Sequence, residues 1–133
     1  MDYLLDTNIL IFMGYRPDRL RKEVVDILED TDNHLFFSAA SIWEIVIKSS
    51  LNKPFDVEKP TQFRDGLFEI GLIEIPIKSE HTLVVNDLPE KLHKDPFDRL
   101  IVAQAKYIKI PLITSDGKLV KFISDYITVI PNN

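Results

Sequence analysis

The sequence predicts an α/β protein, a three-layer α/β/α sandwich on a parallel five-stranded sheet, and three observations lead there. Short apolar runs recur along the chain, each read as a buried strand. Segments with the apolar spacing of helices stand between them, and strands joined through helices pair in parallel, because a parallel pair needs a long crossover. No repeat, low-complexity stretch or linker divides the 133 residues, so a single domain is expected over 1–133.

In chain order, Tyr3-Leu4-Leu5 is the first strand, ending abruptly at Asp6, and Thr7 to Met13 turns directly into a helix. Asp18 to Leu28 repeats apolar residues at helical spacing through Leu20, Val24, Ile27 and Leu28. His34 to Ser38 is the second strand. Ala39 to Leu51 is a strong helix, apolar at Ile42, Trp43, Ile45, Val46 and Ile47. After a loop marked by Pro54 and Pro60, Phe63 to Ile70 forms a helix that Gly71 stops. Leu72 to Pro76 is the third strand, Ser79 to Leu88 a helix, and Pro96 to Ile108 the clearest helix of all. Leu112 to Thr114 and Tyr126 to Ile130 complete the five strands.

Composition narrows the chemistry. Apolar residues make up 45% and charged residues 28%, ordinary for a globular protein. Without cysteine there can be no disulfide, thiolate metal site or cysteine nucleophile; a reducing cytoplasm, the expected location, is compatible with this, though absence of cysteine is permissive everywhere. No apolar run is long enough to span a bilayer, and MDYLLDTN lacks the basic flank of a signal peptide, so no membrane role is expected. The formal charge of −5 argues against a nucleic-acid partner unless several acids are metal ligands, whose cations reverse the local field. Lys91, His93, Lys94 and Arg99 bracket one acidic pair, while Lys48 and Lys53 lie near another; taken singly, each reads as a solvated surface cation.

The acids carry the chemistry. Asp6 follows the first strand and Asp116 the fourth, and in open parallel sheets ligands collect outside the carboxyl ends of strands. Equally, Asp6 reads as a helix N-cap and Asp116 as an Asp-Gly turn. Glu44 fits a capping box with Ser41 and an i,i+4 pair with Lys48. Yet Ser41, Glu44 and Lys48 form one polar stripe on an otherwise apolar helix, the pattern of a cleft wall. Asp95 before Pro96 is an N-cap and chiefly structural. Asp98 flanks the apolar stripe of Phe97, Ile101, Ala105 and Ile108, so its carboxylate must be paired, hydrogen-bonded or metal-bound. Four acids on four elements, with no His or Cys cluster, make an all-oxygen site suited to Mg²⁺ or Mn²⁺ and to phosphoryl transfer. His81 and His93 read as surface or loop residues, and Trp43, Phe36 and Phe37 as core.

Four segments sharpen this reading. Leu4–Leu10 (LLDTNIL), Ser38–Lys48 (SAASIWEIVIK), Asp95–Ala105 (DPFDRLIVAQA) and Leu112–Leu119 (LITSDGKL) resemble, in order and spacing, the acidic motifs of PIN-domain nucleases, nearest to the VapC-type toxins. The resemblance implies a parallel five-stranded sheet with helices on both faces, an Mg²⁺ or Mn²⁺ cofactor, and endonucleolytic cleavage of RNA. By position, Asp6, Glu44 and Asp98 match the three core acids and Asp116 the more variable fourth. Thr7 matches the hydroxyl residue after the first acid, and Ser115 the small polar residue before the fourth. Arg99 and Lys48 are expected to hold the phosphodiester, with Arg99 equally readable as an ion-pair partner. The likeness also implies a homodimer, to which Leu20 and Val24 are expected to contribute, and a cognate antitoxin. After Asp116, Gly117-Lys118-Leu119 departs from the more polar or aromatic stretch of many such toxins.

Two alternatives stand beside it. A receiver-like or phosphatase-like domain needs a second aspartate near the first strand, and Asp6-Thr7-Asn8 supplies none. A catalytically silent scaffold that binds RNA or protein would have no need of all four acids.

Overall fold

Leu4 and Leu5 are wholly buried, and the strand they form, β1 (Asp2–Leu5), lies at the middle of the sheet. The computed structural model describes residues 1–92 and 94–133; His93, placed by the sequence beside the acids, lies outside the described residues. The other strands are β2 (His34–Ser38), β3 (Ile73–Ile75), β4 (Leu112–Thr114) and β5 (Val129–Pro131). Their order is β3-β2-β1-β4-β5 and every pairing is parallel, with Leu4 opposite Phe36 on one side and Leu112 on the other. Seven helices are described: α1 (Thr7–Tyr15), α2 (Lys22–Glu29), α3 (Ala39–Ser50), α4 (Pro60–Glu69), α5 (Ser79–Val84), α6 (Pro96–Ile108) and α7 (Gly117–Ile123).

Because successive strand residues point to opposite faces, the sheet makes two cores. Leu4 and Leu112 enter one with Ile101, Val102 and Ala105 of α6 and with Leu119 and Ile123 of α7. Tyr3, Leu5, Phe37 and Ile113 enter the other with Ile9 and Leu10 of α1, Val24 of α2 and Leu67 of α4. The result is the three-layer sandwich with a parallel five-stranded sheet that the alternation of strands and helices predicts. Gly71 ends α4 at φ 94, a backbone region that favours glycine. Among the described residues no helix is long and apolar enough to cross a membrane.

Several elements depart from the sequence reading. The helix expected from Asp18 begins at Lys22, behind a 3-10 turn at Pro17–Arg19, because Arg21 is extended and its N–H is captured by Asn132 Oδ1 at 2.7 Å. The Ser79–Leu88 helix stops at Val84 and tightens into a 3-10 turn at Val85–Asp87. The last strand starts at Val129 rather than Tyr126, since the Tyr126 and Ile127 N–H groups still bond to Ile123 O. Helix α7 was not expected.

Burial corrects three further readings. Trp43 is 57% exposed, its ring edge-on to Phe97 at 5.0 Å, and Val46 and Ile47 are exposed beside it, so α3 is buried along one side only. Val24 is wholly buried and Leu20 packs against the same core, so Val24 has no surface to give a dimer interface. His81 is buried rather than superficial; its Nδ1 accepts the Lys78 N–H, faces Gln104 Nε2 at 3.2 Å, and its ring meets Tyr107. Such a neutral imidazole is held down by burial and then by Lys78, which lower its pKa.

Candidate active site

The strand order reverses at β1. From it the chain steps to β2 and β3 on one side, then returns to place β4 on the other. Ligand crevices in open parallel sheets form where the order reverses, outside the carboxyl ends of the strands. Asp6 lies one residue beyond β1 and Asp116 two beyond β4, so both acids stand at this point.

Asp6 is 2% exposed and its two oxygens have different duties. Oδ1 accepts the Thr7 N–H at 2.8 Å as the N-cap of α1, and Oδ2 accepts the Thr114 hydroxyl at 2.7 Å. Burial pushes its pKa up from 3.8 to about 6; the two hydrogen bonds restrain the rise, and the charges of Glu44 and Asp116 add to it. Thr114 Oγ1 also accepts the Asp116 N–H at 3.0 Å, so one hydroxyl ties the two strand-end acids together. Asp116 in turn caps α7, accepting the N–H groups of Lys118 and Leu119.

The other two acids arrive on helices. Glu44 is carried by α3 and is 5% exposed. Its Oε2 accepts Lys48 Nζ at 2.7 Å, and its Oε1 is buried with no hydrogen-bond partner among the described residues. Asp98 sits in the first turn of α6, where Asp95 accepts the N–H groups of Phe97 and Asp98 as N-cap. Burial drives Asp98 up to about 8, and the charges of Asp6, Asp95, Glu44 and Asp116 push the same way. The four acids therefore share one field. Burial disfavours the Lys48 ammonium, but Glu44, then Asp95 and Asp98, raise its pKa overall.

The remaining expected residues fall around this cluster. Thr7 Oγ1 donates to Ser41 Oγ at 2.8 Å, joining α1 to α3. Ser115 Oγ accepts Asn132 Nδ2 at 2.9 Å, which links the site to the C-terminal tail. Arg99 is half-buried and donates to Leu92 O at 3.3 Å, so it braces the loop before α6; no carboxylate pairs with it among the described residues. Sequence reasoning missed Thr114 and Asn132. Thr114 had a signal, a hydroxyl ending an apolar strand two residues before an acid. Asn132 had none, because its partners lie 17 to 113 residues away in sequence.

Four carboxylates with no nitrogen or sulfur donor grouped with them among the described residues, one of whose buried oxygens lacks a partner there, fit a hard divalent cation. As they stand, no three acidic or imidazole groups among the described residues are drawn together closely enough to hold one ion. A cation would have to gather them. The Thr114 hydroxyl is the hinge of this arrangement, and removing it gives a first test. Thr114→Val keeps the shape but loses a bond to a carboxylate and leaves the Asp116 N–H without its partner. At pH 8 this is expected to cost about 2–4 kcal/mol, read as a lower urea midpoint with unchanged slope. A change below about 0.5 kcal/mol would show that Thr114 couples nothing, since that is the scatter of neutral surface changes.

Fold and geometry together define a class, the parallel α/β domains with acids grouped at the reversal point of the sheet. The chain belongs to the PIN-domain family, whose profile matches residues 3–123. Among solved structures it resembles VapBC2 from Rickettsia felis bound to a promoter DNA fragment, at 19% identity, 98% coverage of both chains and a TM-score of 0.70. It also resembles VapBC-1 from nontypeable Haemophilus influenzae, at 22% identity, 99% and 98% coverage and a TM-score of 0.69. DNA-bound VapBC from Salmonella typhimurium gives 14% identity, 100% and 99% coverage and a TM-score of 0.71. At such identities the likeness is one of fold. No curated protein matches in sequence.

Proposed function

We propose that this protein is an endoribonuclease dependent on Mg²⁺ or Mn²⁺ that hydrolyses RNA phosphodiester bonds, and that it is the VapC-type toxin of a toxin–antitoxin pair. The observation that carries the reading is the meeting of Asp6, Glu44, Asp98 and Asp116 in one field at the point where the sheet order reverses. So much buried negative charge is costly to keep without a cation to receive it. Asp6 and Asp98 would be the principal ligands, with Glu44 and Asp116 completing the set directly or through water. When bound, the cation supplies an acidified water near neutral pH and stabilises charge on the phosphoryl oxygens.

The protein's own groups then have separate tasks. Thr7 N–H and Thr114 Oγ1 fix the orientation of Asp6. Lys48 holds Glu44 through Oε2, leaving Oε1 to accept the proton of the attacking water. Attack in line on phosphorus breaks the bond to the 3′-oxygen, which takes a proton from solvent to leave as a 3′-hydroxyl, and the other fragment keeps a 5′-phosphate. Lys48, at the rim, and the remaining N–H groups of Arg99 would hold the phosphodiester. Ser115, whose oxygen accepts from Asn132, keeps its own O–H to donate to a phosphate oxygen, while Thr7 is tied to Ser41. No step uses a 2′-hydroxyl, so the choice of RNA rests on family kinship. The antitoxin partner, the homodimer and a cytoplasmic setting rest on the same kinship.

The test is incubation of purified protein with a structured RNA mixture in Mg²⁺, in Mn²⁺ and in EDTA. Cuts bearing 5′-phosphates, present with metal and absent in EDTA, are expected. Intact RNA in both metals, with RNA binding retained, would sink the catalytic reading in favour of a silent scaffold.

A further inference from the structure

The nuclease reading leaves two exposed ammonium groups beside the acids without a task. Lys118 and Lys121 stand three residues apart on α7, a spacing that puts them on one face of the helix. Both line an open depression of about 880 Å³ whose walls also include Asp95, Asp98 and Asp116. Neither forms an ion pair among the described residues, although carboxylates lie in the same depression. Lys118 meets Asp116 only through its backbone N–H. Lys121 has its ammonium 5.2 Å from the centre of the Phe122 ring, a cation–π contact that fixes the side chain along the wall.

Lys48 and Arg99 differ from this pair. The Lys48 ammonium is engaged by Glu44, and Arg99 braces the Leu92 carbonyl. In a chain of net charge −5, a polyanion approaching the acids needs local cations to draw it in. The lysine pair on α7 is where such cations line the acidic depression.

We propose that Lys118 and Lys121 bind consecutive phosphates of the RNA strand and guide it along α7 to the acidic centre. The proposal rests on the nuclease reading and adds the face by which substrate is held. Both lysines are positioning residues, acting on binding rather than on the chemical step.

The experiment pairs kinetics with equilibrium binding. In otherwise native protein, Lys118→Ala/Lys121→Ala is expected to raise KM about tenfold or more while kcat stays within about twofold, the signature of lost uniform binding. Binding of a labelled single-stranded oligoribonucleotide is then measured in the non-cleaving Asp98→Asn background, in Mg²⁺, from low to moderate salt. Adding the two alanines is expected to make the slope of log affinity against log salt shallower by about 1.4, at about 0.7 per phosphate for a single strand. Lys22→Ala/Lys53→Ala removes the same charge from residues that do not line the depression, and its slope is expected to stay unchanged. If native protein cleaves RNA but the α7 variant alters neither KM nor slope, the proposal is overturned and the nuclease stands. An equal change in the Lys22/Lys53 control would also overturn it, since the effect would then be net charge alone. If native protein neither cleaves nor binds RNA, the nuclease reading fails and this proposal falls with it.

Discussion

Asp6→Asn and Asp98→Asn are each expected to reduce RNA cleavage by about 10²-fold or more while the protein stays folded. The magnitude follows from what partners of metal ligands are worth: removing a group that only orients a ligand costs about 10–100-fold, and removing the ligand's own charge costs more. Folding should survive because asparagine keeps the shape and caps a helix as well as aspartate does. In Asp6→Asn the Oδ1 atom still accepts the Thr7 N–H, and the amide still meets a Thr114 hydroxyl able to accept. Asp95→Asn is the internal control. Its oxygen serves the Phe97 and Asp98 N–H groups, a duty asparagine can perform, so cleavage should fall by less than about tenfold. Initial rates on one RNA in saturating Mg²⁺, with circular dichroism of each variant, decide the matter. Equal losses at all three positions would show that the cluster acts through bulk charge rather than through defined ligands, and full activity in Asp6→Asn would remove the centre altogether.

The control is informative because capping does not compete with the proposed ligand role. From sequence, Asp6 reads as an N-cap or a site residue and Asp116 as an Asp-Gly turn or a site residue; in the structure both are N-caps, and neither cap uses up the carboxylate. A carboxylate has two oxygens, and a helix that starts at the carboxyl end of a strand points its N-terminal N–H groups at the crevice. Asp6 shows this with Oδ1 on Thr7 and Oδ2 on Thr114. Asp6, Asp95 and Asp116 are all N-caps, and Asp98 lies in a first helical turn, so the positive ends of α1, α6 and α7 offset part of the mutual repulsion. This is how the fold tolerates the cluster.

What the sequence could not convey follows the same physics. The central strands were legible because burial on both faces leaves unbroken apolar runs, as in Leu4-Leu5 and Leu112-Ile113. The last strand was placed too early because Tyr126-Ile127 is apolar without being paired; only the register with β4 marks where pairing starts. Helix α7 is hidden in the sequence because it is one short element that opens on Gly117, held by its cap and by Leu119 and Ile123 in the core. Trp43 was misread because apolar character reports the tendency to be buried and not the neighbour that does the burying. His81 was misjudged for the converse reason: its partners Lys78 and Gln104 come from a turn and a distant helix.

The electrostatic strain of the site predicts the second large effect. With metal removed, the protein is expected to lose about 2 kcal/mol of stability between pH 6.5 and pH 8. The sign follows from linkage. Asp98 is raised from 3.8 to about 8 and Asp6 to about 6, so in the folded state both hold protons that the unfolded chain has released. Where the folded state binds more protons, stability falls as pH rises, and the loss extends from about pH 4 through the folded pKa. His81 works in the opposite sense. Its lowered pKa makes the unfolded chain the better proton acceptor, so stability gained from it with rising pH is complete once pH exceeds the ordinary 6.5. Above 6.5 Asp98 is therefore left to set the slope, about one proton over 1.5 pH units at about 1.4 kcal/mol per unit. Urea midpoints in EDTA at the two pH values measure it. Asp98→Asn should flatten the dependence and raise the midpoint at pH 8, as should Mg²⁺ on the native protein, because each relieves the repulsion among the clustered acids by a different route. A stabler but inactive Asp98→Asn variant is what a site that keeps its acids for a cation must give. Equal midpoints in the native protein, or an undiminished slope in Asp98→Asn, would mean that Asp98 keeps its charge at neutral pH without penalty, and the argument that the cluster awaits a cation would lose its energetic ground.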